Sequence, residues 1–242
     1  AHPPVPVVSL EHRLLLLERE GIDAALVLDF DERVRALTPE DFVRSVLVEG
    51  LGAGGLQMGF DSAFGNRRLG TFEYLAEKRD GLGLEIRSAA AELLGDAAVS
   101  STRVREAVAN WNFSELERLL GHPFSIMGDV VKGDGRGRKL GFPTANLEVH
   151  SEAFPPFGVY AVTARFPDES SPDLPSVMNF GTRPTFNQDD SHGVFEVHVL
   201  DQENLDLYGK RIEIFLHAFL RREHRFAGPE ELVTQIRKDC EE

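Results

Sequence analysis

Two folds in tandem are predicted: an α/β domain built on a parallel sheet, then a mainly antiparallel β-barrel ending in a C-terminal helix. Three observations lead there. Residues 1 to about 122 alternate short apolar runs with helical patterns, the rhythm of βαβ units. After Phe124 the apolar residues recur with period two, in short runs separated by Pro, Gly, Asp and Asn. The chain has 242 residues, 42% of them hydrophobic, enough for two domains of ordinary size. The boundary is placed at Gly121–Pro123, dividing 1–122 from 123–242.

In the first part, "AALVLDF" (24–30) reads as a buried strand. "TPEDFVRSVLVEGLG" (38–52) reads as a helix, with Thr38 as N-cap and Pro39 at its first position. "GLQMGF" (55–60), "TFEYLAEKRDG" (71–81) and "LEIRSAA" (84–90) then give strand, helix and strand. Two helices come next, "STRVREAVANWN" and "SELERLLG", the second with Ser114 as its cap. In the second part the strands are "VYAVTARF" (159–166), "SVMNFG" (176–181), "VFEVHVLD" (194–201) and "RIEIFLHAFL" (211–220). "PDESSPDLP" (167–175) is a solvent loop, and "PEELVTQIRKDCEE" a final helix with Pro229 in its first turn. There is no internal repeat.

A net charge of -14 argues against nucleic-acid binding, which must first satisfy phosphate electrostatics. The single cysteine, Cys240, permits no disulfide within the chain and points to a reducing, cytoplasmic setting. The apolar run "LLLLE" (14–18) is too short to span a membrane, and no signal-peptide pattern precedes it. The oligomeric state stays open, a homo-oligomer included.

Against this acidity, "GDVVKGDGRGRKLGFPTAN" (128–146) holds five glycines, and from Val131 to Leu140 the cations Lys132, Arg136, Arg138 and Lys139 stand against Asp134 alone. Taken alone, such a loop is more often than not a solvated surface hairpin. Its alternative use is to bring backbone N–H groups together on phosphate oxygens, with cations offsetting the charge. In an extended segment after Pro143, Thr144 and Asn146 point to one side. A hydroxyl and a carboxamide oxygen there suit a Mg²⁺ that keeps waters and shares nucleotide phosphates. In "VFEVHVLD", Phe195, Val197 and Val199 share one face and Glu196, His198 and Leu200 the other. Pattern alone favours ordinary exposed strand residues for both Glu196 and His198, with a base as the alternative for Glu196 that spacing does not settle.

"GDVVKGDGRGRKLGFPTANLEV", "FGVYAV", "MNFGTRPTF", "FEVHVLD" and "FLRREHRFAGPEELVTQIRKD" come one after another in the order of the riboflavin kinase module. The second part therefore resembles that module of bacterial bifunctional riboflavin kinase/FAD synthetases. The resemblance implies that Gly133, Gly135 and Gly137 cover the ATP phosphates and that Thr144 and Asn146 serve Mg²⁺ and phosphate. Glu196 matches the base for the ribityl 5′-hydroxyl, and Phe142, Asn146 and Arg221 match flavin contacts. The first part resembles the FMN adenylyltransferase module, a Rossmann-like nucleotidyltransferase, through "GIDAALVLDFDERVRALTPEDFV", "GFDSAFGNRRLGT" and "VSSTRVREAV".

In this second resemblance Ser100, Ser101, Thr102 and Arg105 match S-S-T-x-x-R at a helix start, an anion site for nucleotide phosphates. Asp61 and Phe64 match a flavin-contacting loop, although Ser62 stands where the family has an aromatic residue. None of the eight histidines forms the family's H-x-G-H, and "AHPP" matches a segment after its first turn. The first part is thus expected to be an N-terminally incomplete adenylyltransferase domain, and the expected activities are phosphorylation of riboflavin to FMN by ATP and, in the complete protein, adenylylation of FMN to FAD. The alternative is a kinase whose first half is a scaffold or flavin-binding module; a barrel that only binds is disfavoured, because Thr144, Asn146 and Glu196 all stand at family positions.

Overall fold

The computed structural model describes residues 5–133, 135–149, 153–167, 172–182, 193–202 and 207–242. Of the sequence features above, "AHPP", Asp134, most of "TRPTF" and residues 168–171 of the solvent loop lie outside these. The chain forms two compact units, one of residues 23–99 and one of residues 1–22 with 100–242.

The first helix, α1 (Leu10–Arg19), belongs to the larger unit. The smaller unit begins with α2 (Glu32–Ala36) and α3 (Pro39–Phe42). The start of α3 is set by Thr38, whose hydroxyl accepts from Asp41 N–H at 3.1 Å. The helix expected over 38–52 continues as π-helical turns from Val43 to Gly50. β1 (Gly55–Met58) and β2 (Glu85–Ser88) pair in parallel, Leu56 opposite Ile86, with α4 (Phe72–Glu77) and α5 (Arg79–Leu82) between them in the chain. This is the expected βαβ unit. Val43, Met58, Leu75, Leu82 and Leu84 form its core, with Phe64 and Phe72 packed against them.

One expected strand does not form. Residues 24–30 make no strand, and Leu26, Val27 and Phe30 are exposed. A strand needs a neighbour to take up its N–H and C=O groups, and among the described residues β1 and β2 pair only with each other. A short antiparallel pair, β3 (Leu93–Leu94) with β4 (Ala97–Ala98), was not anticipated.

In the larger unit, α6 (Ser101–Ala109) and α7 (Phe113–Leu120) bury Val104, Val108, Leu116 and Leu119. α7 is capped by Asn112, not Ser114: the Asn112 side chain accepts from Glu115 N–H, placing the cap two residues earlier. Trp111, between the helices, donates its indole N–H to the Tyr160 hydroxyl at 3.0 Å and packs on Phe219. These contacts are why residues 100–122 pack with the C-terminal strands.

Those strands make a closed six-stranded antiparallel barrel in the order β10-β5-β6-β9-β8-β7. They are β5 (Ser125–Val131), β6 (Ala145–Val149), β7 (Gly158–Arg165), β8 (Leu174–Gly181), β9 (Val194–Val199) and β10 (Arg211–Arg221). β5 and β6 flank the glycine loop, and their pattern was hidden by it; the loop itself contains one helical turn, α8 (Arg136–Lys139). The interior is filled by Ile126, Val162, Met178, Phe195, Val197, Ile212, Ile214 and Leu216, all buried. Phe180 stacks on Phe195 with centroids 4.0 Å apart. α9 (Pro229–Glu241) closes the chain as expected.

α1 docks on the barrel through charge. The fully buried Glu213 carboxylate on β10 accepts from Arg19 at both oxygens (3.0 and 2.6 Å), from Ser125 Oγ at 2.8 Å and from His12 Nε2 at 3.1 Å. Burial alone would raise this carboxyl. The hydrogen bonds from His12, Arg19 and Ser125, with the charge of Arg19, outweigh it and hold the group at about 2.

Candidate active site on the barrel wall

Register builds the site. Asn146 on β6 stands opposite Glu196 on β9, Glu196 opposite Asn179 on β8, Asn179 opposite Val159 on β7, and Val159 opposite Arg221 on β10. Directly opposed residues share a face of a sheet, so these five form one row across five strands. Phe195, Val197 and Val199 of β9 are buried in the barrel, which leaves Glu196 and His198 on the opposite face. The row therefore lies on the outer wall.

That wall carries a cavity of about 370 Å³, lined by Asn146, Glu196, Asn179 and Arg221 and by Gly135–Gly137 and Thr144 of the loop. Arg221 reaches it through two bulges in β10, after Leu216 and after Phe219. One extra residue exchanges the faces of a strand, and a second restores them. Phe219 is thereby opposed to Tyr160, and Arg221 returns to the face of Glu196.

The loop is packed on this wall by its glycines. A Cβ on Gly133 would fall on the Asn146 carboxamide, and one on Gly137 would meet the Phe142 carbonyl and lie 3.0 Å from Thr144 Oγ1. Gly135 is exposed and in the left-handed region at φ 66°. Gly133→Ala is accordingly expected to push Asn146 out of the row and to lower turnover at this site by about tenfold, the cost of one displaced hydrogen-bonding group. Unchanged steady-state kinetics in that variant would count against this packing. Phe142 meets His198 edge-on at 5.5 Å, and His198 Nδ1 lies 2.8 Å from the Pro143 carbonyl, which holds the "FPT" segment against β9.

The barrel thus brings together Gly135, Gly137, Phe142, Thr144, Asn146, Glu196 and Arg221, with Gly133 backing Asn146. Reading the sequence missed Asn179, whose only signal was its place between the inward Met178 and Phe180. His198 was left unassigned although it shares the face of Glu196. Among the described residues no group of three or more His, Cys, Asp or Glu could hold a metal.

A riboflavin kinase family model matches residues 120–242, and an FAD synthetase family model matches residues 1–103. The bifunctional riboflavin kinase/FMN adenylyltransferase of Escherichia coli K12 is 41% identical over 98% of this chain and 74% of its own length. The chain belongs to this bifunctional family. The Pseudomonas fluorescens protein of the same name is 41% identical over 91% of the chain and 69% of its length. In shape, the crystal structure of a macrolide-efflux protein from Streptococcus pneumoniae matches with a TM-score of 0.80 and 29% identity, over 99% of this chain and 77% of that one. No described helix of the present chain is long and apolar enough to cross a membrane.

The adenylyltransferase-like residues fall elsewhere. Ser100 is the N-cap of α6, accepting from Arg103 N–H at 3.4 Å, with Ser101 and Thr102 exposed beside it. Arg105 Nε donates to the Val5 carbonyl at 2.6 Å. Asp61 belongs to the smaller unit, exposed in the turn closed by Ser62 N–H on the Gly59 carbonyl, while Phe64 there packs on Phe42.

Proposed function

We propose that the barrel transfers the γ-phosphoryl group of ATP to the ribityl 5′-hydroxyl of riboflavin, giving FMN, and that the N-terminal part adenylylates FMN to FAD. The functional boundary between them is Gly121–Pro123. The observation that carries the kinase reading is the Glu196 carboxylate, set between the carboxamides Asn146 and Asn179 on a wall fronted by the glycine loop. Phosphoryl transfer asks the protein for positioning, charge stabilisation and a base. Glu196 takes the hydroxyl proton as the new O–P bond forms and the bond to ADP breaks. Gly133, Gly135 and Gly137 let the backbone close on the phosphates, and Phe142 and Arg221 receive the flavin.

Thr144 Oγ1 and the Asn146 carboxamide oxygen, two neutral donors beside one carboxylate, fit a Mg²⁺ that keeps several waters and shares phosphate oxygens. When bound, the ion offsets the charge on the transferred group. Thr144→Ala is expected to weaken Mg·ADP binding and turnover together by about tenfold, as for one lost hydrogen-bonding group; calorimetry that finds both unchanged would make Thr144 a bystander.

For the second activity, Ser100, Ser101, Thr102 and Arg105 at the start of α6 hold nucleotide phosphates, and Asp61 meets the flavin. The lone cysteine supports a cytoplasmic setting. Incubating the protein with riboflavin, ATP and Mg²⁺ and separating the flavins by chromatography tests the whole reading. FMN followed by FAD is expected. FMN alone would make the first part a scaffold, and no FMN would overturn the kinase reading.

A further inference from the structure

The C-terminal helix lines the same cavity through Leu232, Ile236 and Asp239. Asp239 is a buried acid, its side chain 4% exposed against 22% for its partner Arg221. Arginine offers five N–H donors in a planar fork and accepts nothing. In Arg221, Nε–H meets the Asp239 carboxylate at 2.9 and 3.1 Å, Nη2 donates to it at 2.7 Å, and Nη1 donates to the Arg222 carbonyl at 3.2 Å. One N–H on each terminal nitrogen is left over for an acceptor in the cavity. The carboxylate is itself held, because Gln235 Nε2 donates to it at 2.9 Å from one turn earlier.

The surroundings say what that acceptor belongs to. Arg221 stands at the opposite end of the row from Asn146 and the glycine loop. Its charge is already balanced by Asp239, so it offers little attraction to phosphate. The wall there is apolar and aromatic, with Val159, Leu232, Ile236 and the Phe226 ring 5.6 Å from the guanidinium. A planar ring system with carbonyl acceptors on its edge fits that end.

We propose that Asp239 is a positioning residue for the kinase site: acting through Arg221, it makes the C-terminal helix the wall that sets affinity for the flavin ring. This rests on the kinase reading. Asp239 touches no substrate; it fixes which way the Arg221 fork faces. A helix that merely stapled the barrel would affect stability and leave the two substrates alike.

Asp239→Asn keeps the shape and removes the charge. It is expected to raise KM for riboflavin at least about tenfold, the scale of one misdirected charge-assisted hydrogen bond, with KM for ATP and kcat within about threefold of wild type. Arg221→Lys, which cannot reproduce the fork, should raise KM for riboflavin at least as much, and the double variant should be no worse than Arg221→Lys alone. Gln235→Met loosens the carboxylate without touching the ion pair and should raise KM for riboflavin about threefold; it decides the matter if Asp239→Asn fails to fold. An unchanged KM for riboflavin, an equal rise for ATP, or multiplicative effects in the double variant would overturn the proposal. If the wild type makes no FMN, the kinase reading fails by itself. Quenching of riboflavin fluorescence across the same variants then still reports whether Asp239 governs flavin affinity.

Discussion

Glu196→Gln is expected to lower FMN formation by about 10²–10⁴-fold, the usual contribution of a positioned general base, while riboflavin and Mg·ADP bind within about threefold of wild type. The separation of binding from rate comes from the row. Glu196 stands between Asn146 and Asn179, so the variant places a third carboxamide beside two others, with the same volume and the same reach into the cavity. Glu196 also faces away from the barrel core, where Phe195 and Val197 are buried, so the substitution leaves interior packing alone. The step it removes is acceptance of the hydroxyl proton, which an amide cannot perform. Single-turnover measurements with riboflavin and ATP check this, and a variant retaining more than half the wild-type rate would remove Glu196 from the role of base.

The second large effect concerns stability. Glu213→Ala should destabilise the protein by about 3–5 kcal/mol, as expected when one partner of a buried ion pair is removed, which corresponds to a fall in Tm of roughly 6–20 °C. It strands Arg19, Ser125 and His12 together, and His12 Nδ1 already has no partner among the described residues. The same carboxylate gives a pH signature. Its folded pKa, about 2, lies below the ordinary 4.5, so the folded state favours the ionised form. That stability is fully present above about pH 4.5 and is lost as the pH falls towards about 2, amounting to roughly 3 kcal/mol. Thermal unfolding of wild type and Glu213→Gln at several pH values isolates it: the gap between them should shrink on acidification. A gap independent of pH would mean that Glu213 is not the ionised acceptor of this cluster.

Neither the Glu213 cluster nor α1 itself was anticipated. "LLLLE" was read only as too short for a membrane, and a glutamate within "RIEIFLHAFL" gives no sign that it lies on the buried face. Its acceptance there depends on donors more than eighty residues away in the chain, Ser125, His12 and Arg19. The strand expected at 24–30 shows the converse: apolar composition states a preference for cover, while pairing requires a neighbour that sequence does not name.

The sequence by itself determined the change from helical rhythm to period two, the cap at Thr38, the helix start at Pro229, and the local chemistry of "LGFPTAN". These are short-range properties: dihedral preference, side-chain alternation and the freedom of glycine act within a few residues. Tertiary structure alone decided that Asn146, Glu196, Asn179, Val159 and Arg221 form one row, since each comes from a different strand and the order β6-β9-β8-β7-β10 is not the order of the chain. It also decided the face of Arg221, because two bulges in β10 exchange and then restore the alternation that sequence counting assumes. Strand order and bulges are settled by barrel closure, where backbone groups far apart in sequence must all find partners at once.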